Sequence, residues 1–94
     1  MIGFKVSPEK VEEVENAYVT SFVPEMEKYE GFAFVLLIRN KDTNETLEVS
    51  IWDDEDALRE GEKEGGVVEW KTNRLESITG SATDIENYEL RLIT

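Results

Sequence analysis

The chain has 94 residues, with 22 acidic against 10 basic side chains and a net charge of −12 at neutral pH. It contains neither cysteine nor histidine, which excludes disulfides, iron–sulfur clusters, cysteine nucleophiles, histidine metal sites and serine–histidine triads. The negative charge excludes nucleic acid and anionic membranes as expected partners, because both would repel it.

The length predicts a single domain over residues 1–94 with a small core, for which oligomerisation is a common remedy. No apolar run approaches the roughly 18–20 residues that span a bilayer, and the first residues lack the layout of a signal peptide. We therefore expect a cytoplasmic protein. The acidity has two interpretations, which are solubility and adaptation to a salt-rich cytoplasm.

The first half of the chain changes from alternating to helical apolar spacing and back. Alternation at Ile2, Phe4 and Val6 predicts a strand, after which Ser7 as N-cap and Pro8 open a helix. Pro24 is expected to break this helix, and Gly31 ends the segment. Residues 32–38 and 47–51 flank a polar turn at 41–45, which predicts a hairpin.

The second half predicts helices and one last strand. Asp53 or Asp54 caps a short acidic helix that runs to about residue 64, the glycines at 65 and 66 interrupt it, and a further helix covers residues 67–79. Alternation of Tyr88, Leu90 and Leu92 predicts a strand over residues 85–93. The β-α-β-β-α-β order is typical of ferredoxin-like α+β folds, with a four-stranded antiparallel sheet and helices on one face.

The segment from residue 32 to 38 is apolar at every position. Phe32, Phe34, Leu36 and Ile38 are expected on one face, and Ala33, Val35 and Leu37 on the other. Helices cover only one face, and in this fold the strand lies at a sheet edge, where exposed apolar surface favours aggregation. This pattern predicts a homodimer through the sheet; the alternative is a monomer with an exposed apolar face.

Lys71 is the main candidate for chemistry, since it falls in the middle of the apolar arc of the helix over residues 67–79. A lysine there must extend to solvent, pair with an acid or face a cavity. With Arg74 it could hold a carboxylate or phenolate, and it could act as an acid or base. The alternative is a structural ion pair, for which Glu15, inside the apolar arc of the first helix, is the expected partner.

Aromatic residues could complete a binding site for an apolar or aromatic small molecule. Trp52 either lines a cavity or attaches the sheet to the acidic helix, and Gly61 indicates either close packing or space for a ligand. Further candidates to shape the site are Phe34, Trp70 and Tyr88. No metal site is expected, because the acidic run at 53–56 is explained by its position in the first turn of a helix.

Three segments together resemble a known family. They are residues 6–13 (VSPEKVEE), 29–32 (YEGF) and 51–58 (IWDDEDAL), and their order and spacing are similar to those of antibiotic biosynthesis monooxygenase-like proteins of the dimeric α/β-barrel superfamily. The resemblance implies a dimer of two four-stranded sheets, with a cavity between sheet and helices in each subunit. It also implies cofactor-independent monooxygenation of polycyclic aromatic substrates, or haem degradation.

The chain departs from the haem-degrading members of that family. Lys71 stands where their axial histidine is expected, and Gly61 where they carry a cavity tryptophan. A lysine binds haem iron only when it is neutral. Three functions therefore stay open: a monooxygenase that uses no cofactor, a non-catalytic or stress-related binding dimer, and a haem-binding protein without the usual ligand.

Overall fold

In the computed structural model, which describes residues 1–89, 91 and 93, a four-stranded sheet carries a layer of helices. The strand order is β2-β3-β1-β4, and each neighbouring pair is antiparallel. The strands are β1 (Ile2–Lys5), β2 (Phe32–Arg39), β3 (Glu45–Trp52) and β4 (Asp84–Ile85). The predicted ferredoxin-like α+β architecture is confirmed, with β2 at the sheet edge.

The helical segments follow the predicted order. They are a 3₁₀ turn (Pro8–Lys10), α1 (Val11–Ala17), a π-helical turn (Tyr18–Phe22), α2 (Val23–Met26), α3 (Glu55–Glu62) and α4 (Val67–Thr79). Asp54 caps α3 by accepting a hydrogen bond of 2.8 Å from the Ala57 amide, and Gly80 ends α4 in a left-handed conformation. Among the described residues, no helix is long and apolar enough to cross a membrane.

The predicted break at Pro24 is wrong, because the helical path continues through it. Proline has no amide hydrogen and its ring crowds the carbonyl four residues earlier. The chain accommodates this by widening into the π-helical turn that directly precedes α2, and the Val23 amide donates to Tyr18 oxygen, five residues back. The backbone then resumes helical bonding, with the Glu27 amide 2.9 Å from Val23 oxygen.

A register shift divides the aromatic residues of β2 between two faces. Phe32 pairs with Trp52, whereas Phe34 pairs with Ile51, and the register shifts between Phe32 and Phe34. Successive residues of a strand point to opposite faces, so an extra residue reverses the direction of those before it. The expectation that Phe32 shares a face with Phe34 is therefore wrong: Phe32 packs against the core.

The face of the sheet opposite the helices, which we call the open face, is apolar. On β2 its exposed residues are Phe34, Leu36 and Ile38, and they pair with Ile51, Val49 and Leu47 of β3. Two side chains of β3 that point at the helices, Thr46 and Glu48, are instead polar and buried, while Trp52 at the end of the strand packs against the core. At Thr46 and Glu48 this reverses the usual pattern of a sheet with one solvated face, whereas Ile2 and Phe4 of β1 follow it and are buried in the core.

The last strand is shorter than predicted. Among the residues that the structure describes, Asp84 and Ile85 alone pair with β1, and residues 86–89 are not part of the sheet. The predicted strand over residues 85–93 is therefore wrong for residues 86–89, while Leu90 and Leu92 lie outside the described residues. Hydrogen bonds of 3.1 Å from the Asn87 amide to the Glu62 carboxylate hold this segment against α3.

Candidate functional site

Three ionisable side chains meet inside the layer between the sheet and the helices. Lys71 Nζ lies 2.6 Å from Glu48 Oε1, and neither side chain is exposed to solvent. The Tyr18 hydroxyl donates to the same oxygen over 3.0 Å. We call these three residues the buried triad. The apolar residues Phe22, Met26 and Leu75 are fully buried in the same core.

Each member of the triad comes from a different element. Glu48 lies in the middle of β3, where its neighbours across the sheet are Leu37 on β2 and Ile2 on β1. Tyr18 begins the π-helical turn, and Lys71 lies one turn after the start of α4. The predicted position of Lys71 in the apolar arc is confirmed, since it is fully buried.

The tyrosine of the triad is kept in its neutral, protonated form. Burial, and after it the negative charge of Glu48, raises the pKa of Tyr18 far above its ordinary value. Tyr18 therefore stays protonated and donates to the carboxylate at physiological pH. Its ring also packs edge-to-face on Phe22, with centroids 4.9 Å apart, which fixes the direction of the hydroxyl.

Lys71 makes a second contact with the sulfur of Met26, at 3.4 Å. Its amine is thus engaged by a carboxylate and a thioether. An ammonium in an ion pair does not offer the neutral amine that haem iron needs, so the geometry does not favour haem ligation by Lys71.

The expected pairing of Lys71 with Glu15 is wrong. Glu15 is exposed on α1, while Glu48 occupies the contact with Lys71. The inward face of the first helical segment is narrower than its apolar residues indicate, because Val19 is also 73% exposed. Glu15, expected inside that arc, is consequently left in solvent.

The other predicted site residues are not gathered around Lys71. Arg74 is exposed on α4, Phe34 lies on the open face and is 50% exposed, and Tyr88 is 67% exposed. Trp70 is half-buried and packs edge-to-face on Phe22, with ring centroids 5.5 Å apart. Because Phe22 packs in turn on Tyr18, Trp70 is separated from the triad by one aromatic ring.

Trp52 and Gly61 contact each other. A Cβ added at Gly61 would lie 3.0 Å from the Trp52 ring, so of the two interpretations of Gly61 the structure supports close packing. Trp52 also packs on Tyr29 and Phe32, at centroid distances of 6.2 and 5.3 Å, and its indole nitrogen donates to the Ser50 hydroxyl over 3.2 Å. It therefore attaches the sheet to α3.

Two of the clefts on the described part of the surface are lined by residues that do not include Lys71. The larger, about 850 Å³, lies between the end of β3, α3 and residues 87–89, with Trp52 and Tyr88 in its wall. The other, about 510 Å³, lies beside β1 and β4 and includes Ile38 and Leu47 of the open face. A small molecule can contact the buried triad only if the helix layer moves relative to the sheet.

Three buried polar atoms on the helix-facing side of β2 and β3 lack a hydrogen-bond partner among the described residues. They are Arg39 Nε, Thr46 Oγ1 and Glu48 Oε2. Arg39 and Thr46 face each other across the two strands, and Thr46 and Glu48 are alternate residues of one strand. Buried polar atoms are normally paired, so these three atoms are exceptions within the core.

The family model described as antibiotic biosynthesis monooxygenase matches residues 1–71. The chain belongs to the antibiotic biosynthesis monooxygenase family. Its fold is similar to that of SnoaB, a cofactor-independent oxygenase from Streptomyces nogalater, with a TM-score of 0.62, 20% identity, and coverage of 97% of this chain and 91% of SnoaB.

A second similar fold is that of a candidate antibiotic biosynthesis monooxygenase from Deinococcus radiodurans. Its TM-score is 0.60 and its identity 17%, with coverage of 100% of this chain and 99% of that protein. At such identities the likeness shows the fold alone. A search of the curated proteins finds no match.

Proposed function

We propose that this family member is a monooxygenase that oxygenates an apolar or aromatic small molecule without a cofactor, in the layer between sheet and helices. The observation that carries the proposal is the fully buried Glu48–Lys71 pair. A buried ion pair is seldom more stabilising than apolar residues of the same volume. Ionisable groups gathered in a poorly solvated layer are typical of functional sites.

The reaction that this arrangement suits begins at an acidic C–H bond of the substrate. Loss of that proton leaves a carbanion, which transfers one electron to O₂; the carbon radical and superoxide then combine into a peroxide anion, which takes up one proton to become a hydroperoxide. Loss of water then converts the CH₂ group to C=O, so that one oxygen atom enters the product and the other leaves as water. The role proposed for Lys71 is to stabilise the substrate anion with its positive charge.

We also propose that the whole chain, residues 1–94, forms one cytoplasmic domain that assembles as a homodimer through the open face. The support is the apolar surface of that face, where Phe34, Leu36 and Ile38 are each about half exposed. Contiguous exposed apolar surface marks interfaces, and a two-fold contact would cover the β2 edge in both copies.

Access to the triad would require movement of the helices, and the π-helical turn is the element best suited to it. Tyr18, a member of the triad, begins this turn, and Phe22, which packs on Tyr18, ends it. π-helical turns of this type are frequent at functional sites. A shift here would uncover Glu48 and Lys71 together.

The test is oxygen uptake with 1,8-dihydroxyanthrone, measured against the rate without protein. We expect one O₂ consumed for each anthraquinone formed. Lys71→Ala, checked for folding by circular dichroism, should abolish the increase, and Lys63→Ala should keep it, because Lys63 pairs with Glu60 on the surface. Uptake that is unchanged in folded Lys71→Ala would contradict the role of Lys71.

The second candidate function is non-catalytic binding of the same class of molecule. The complete burial of Lys71 favours this function over catalysis, because a sealed ion pair can hold the sheet and the helices together without taking part in a reaction. In that case anthrones would raise the melting temperature with no oxygen uptake above the rate without protein. Activity and binding are thus separated in one set of measurements.

A further inference from the structure

We propose that Glu48 is the residue that recognises the ligand, by accepting a hydrogen bond from a ligand hydroxyl at its oxygen Oε2. The inference rests on the proposed function and deepens it, because it specifies which apolar molecules the site takes. They are aromatic molecules that carry a phenol or enol hydroxyl, in preference to their methyl ethers.

The two oxygens of Glu48 differ in their surroundings. Oε1 lies 2.6 Å from the Lys71 ammonium in the ion pair and accepts a hydrogen bond of 3.0 Å from the Tyr18 hydroxyl. Oε2 is buried and has no partner among the described residues. An ionised carboxylate has room for about four hydrogen bonds, about two on each oxygen, and can only accept them, so the capacity of Oε2 is unused.

The chemistry of that unused capacity selects the ligand. An acceptor buried without a donor is unfavourable, and more so when it is charged. A ligand hydroxyl supplies the missing donor, whereas an ether or a ketone of the same shape places a second acceptor against a negative charge. Lys71 and Tyr18 hold the carboxylate from the other side, so Oε2 keeps its direction.

The sequence around Glu48 supplies a matched comparison. Thr46 lies two residues earlier on the same face of β3, and its hydroxyl is also buried without a partner. Thr46→Val removes that hydroxyl and keeps the shape of the side chain. Glu48→Gln likewise keeps the shape of residue 48 but removes its charge and half of its acceptor capacity.

The experiment measures the binding of 1-naphthol and 1-methoxynaphthalene by calorimetry. The unaltered protein should bind the naphthol about 10- to 100-fold more tightly, the range of a hydrogen bond to a charged group. Glu48→Gln should bring this preference close to one and leave the affinity for the ether unchanged. Thr46→Val should keep the preference.

Several results would overturn the inference. They are equal affinities for the two ligands in the unaltered protein, failure of both to bind, a preference that survives in Glu48→Gln, and a preference that is lost in Thr46→Val. Because the first comparison needs no variant, a Glu48→Gln protein that does not fold still leaves a decisive result. Oxygen uptake is measured separately. A preference for the hydroxyl ligand without oxygen uptake would support recognition by Glu48 and contradict the proposed oxygenase activity. Oxygen uptake without that preference would support the oxygenase activity and contradict recognition by Glu48.

Discussion

Glu48 on β3 and Lys71 on α4 are joined across the core by an ion pair of 2.6 Å, with both side chains fully buried. The pair links the middle of the sheet to the helix layer. Both charges are kept from water in the apolar core, so each depends on the opposite charge of the other, while the neutral Tyr18 hydroxyl adds a hydrogen bond to Glu48. Loss of one partner should therefore cost much more than loss of both.

The first prediction concerns Lys71→Met. This substitution keeps the length of the side chain but leaves the Glu48 carboxylate without its cation, so we expect a loss of about 3–5 kcal/mol in the free energy of unfolding. For a domain of this size each kcal/mol lowers the melting temperature by about 4–8 °C. Urea unfolding followed by circular dichroism measures the loss.

The control for this prediction is Lys63→Met, which breaks the exposed Lys63–Glu60 pair and should change the free energy of unfolding by at most about 0.5 kcal/mol. The double variant Glu48→Leu with Lys71→Met should recover most of the loss. A double variant that is less stable than Lys71→Met alone would contradict the view that the unpaired charge is the cause.

The second prediction concerns alkaline pH. The folded state raises the pKa of Tyr18, whereas the unfolded chain has the ordinary value of about 10. Below pH 10 both states keep the proton and the contribution is complete. Above pH 10 only the unfolded state loses it, so Tyr18 alone makes stability fall by about 1.4 kcal/mol per pH unit.

Tyr18→Phe tests this directly. At pH 8 the variant should be less stable by about 1.5–3 kcal/mol, because the Glu48 carboxylate loses a donor. Between pH 10 and 11 the two proteins should converge, since the phenylalanine does not titrate and all other groups are common to both. Urea unfolding at pH 8, 10 and 11 measures the difference, and parallel curves would rule out Tyr18 as the titrating group.

The order of elements could be predicted from the sequence, because it depends on local signals. Apolar periodicity, the Asp54 cap and Gly80 fix α3 and α4 without knowledge of their neighbours. The path through Pro24 could not be predicted, since it depends on whether packing of Tyr18 and Phe22 outweighs the strain of a proline within a helix. The predicted last strand is longer than β4, because alternation of apolar residues does not show whether a neighbouring strand is close enough to form hydrogen bonds.

Of the Glu48–Lys71 pair, the sequence allows Lys71 to be predicted but not its partner. A lysine within an apolar arc is recognisable from one helix, so Lys71 was found. Its partner was missed because the choice between Glu15 and Glu48 depends on which face of β3 points at the helices. The signal was present in the alternation of Leu47, Val49 and Ile51 with polar residues: once the apolar side is assigned to the open face, Glu48 is the acid in the centre of the core.

The third prediction concerns the open face. Leu36 lies in its middle, is 49% exposed and pairs with Val49. If a second copy covers this face, Leu36→Glu buries a charge in the interface and should convert dimers to monomers at micromolar concentration. Val19→Glu is the control, since Val19 is 73% exposed on the helix side, and it should leave the dimer intact. Light scattering after size exclusion gives the mass, and an unaltered protein that elutes as a monomer would refute the dimer.

The fourth prediction concerns the contact between Gly31 and Ala57, where the turn before β2 meets α3. A Cβ at Gly31 would lie 2.5 Å from Ala57 Cβ, and the backbone of Gly31 has a φ of +89°. Gly31→Ala therefore introduces both a clash and backbone strain. The strain alone costs about 1–3 kcal/mol, so we expect a larger loss in the free energy of unfolding, measured in urea.

Adding Ala57→Gly should remove the clash and leave the strain, while Ala57→Gly alone should cost only about 1 kcal/mol. Strict additivity of the two changes would mean that the residues do not interact, against the geometry described.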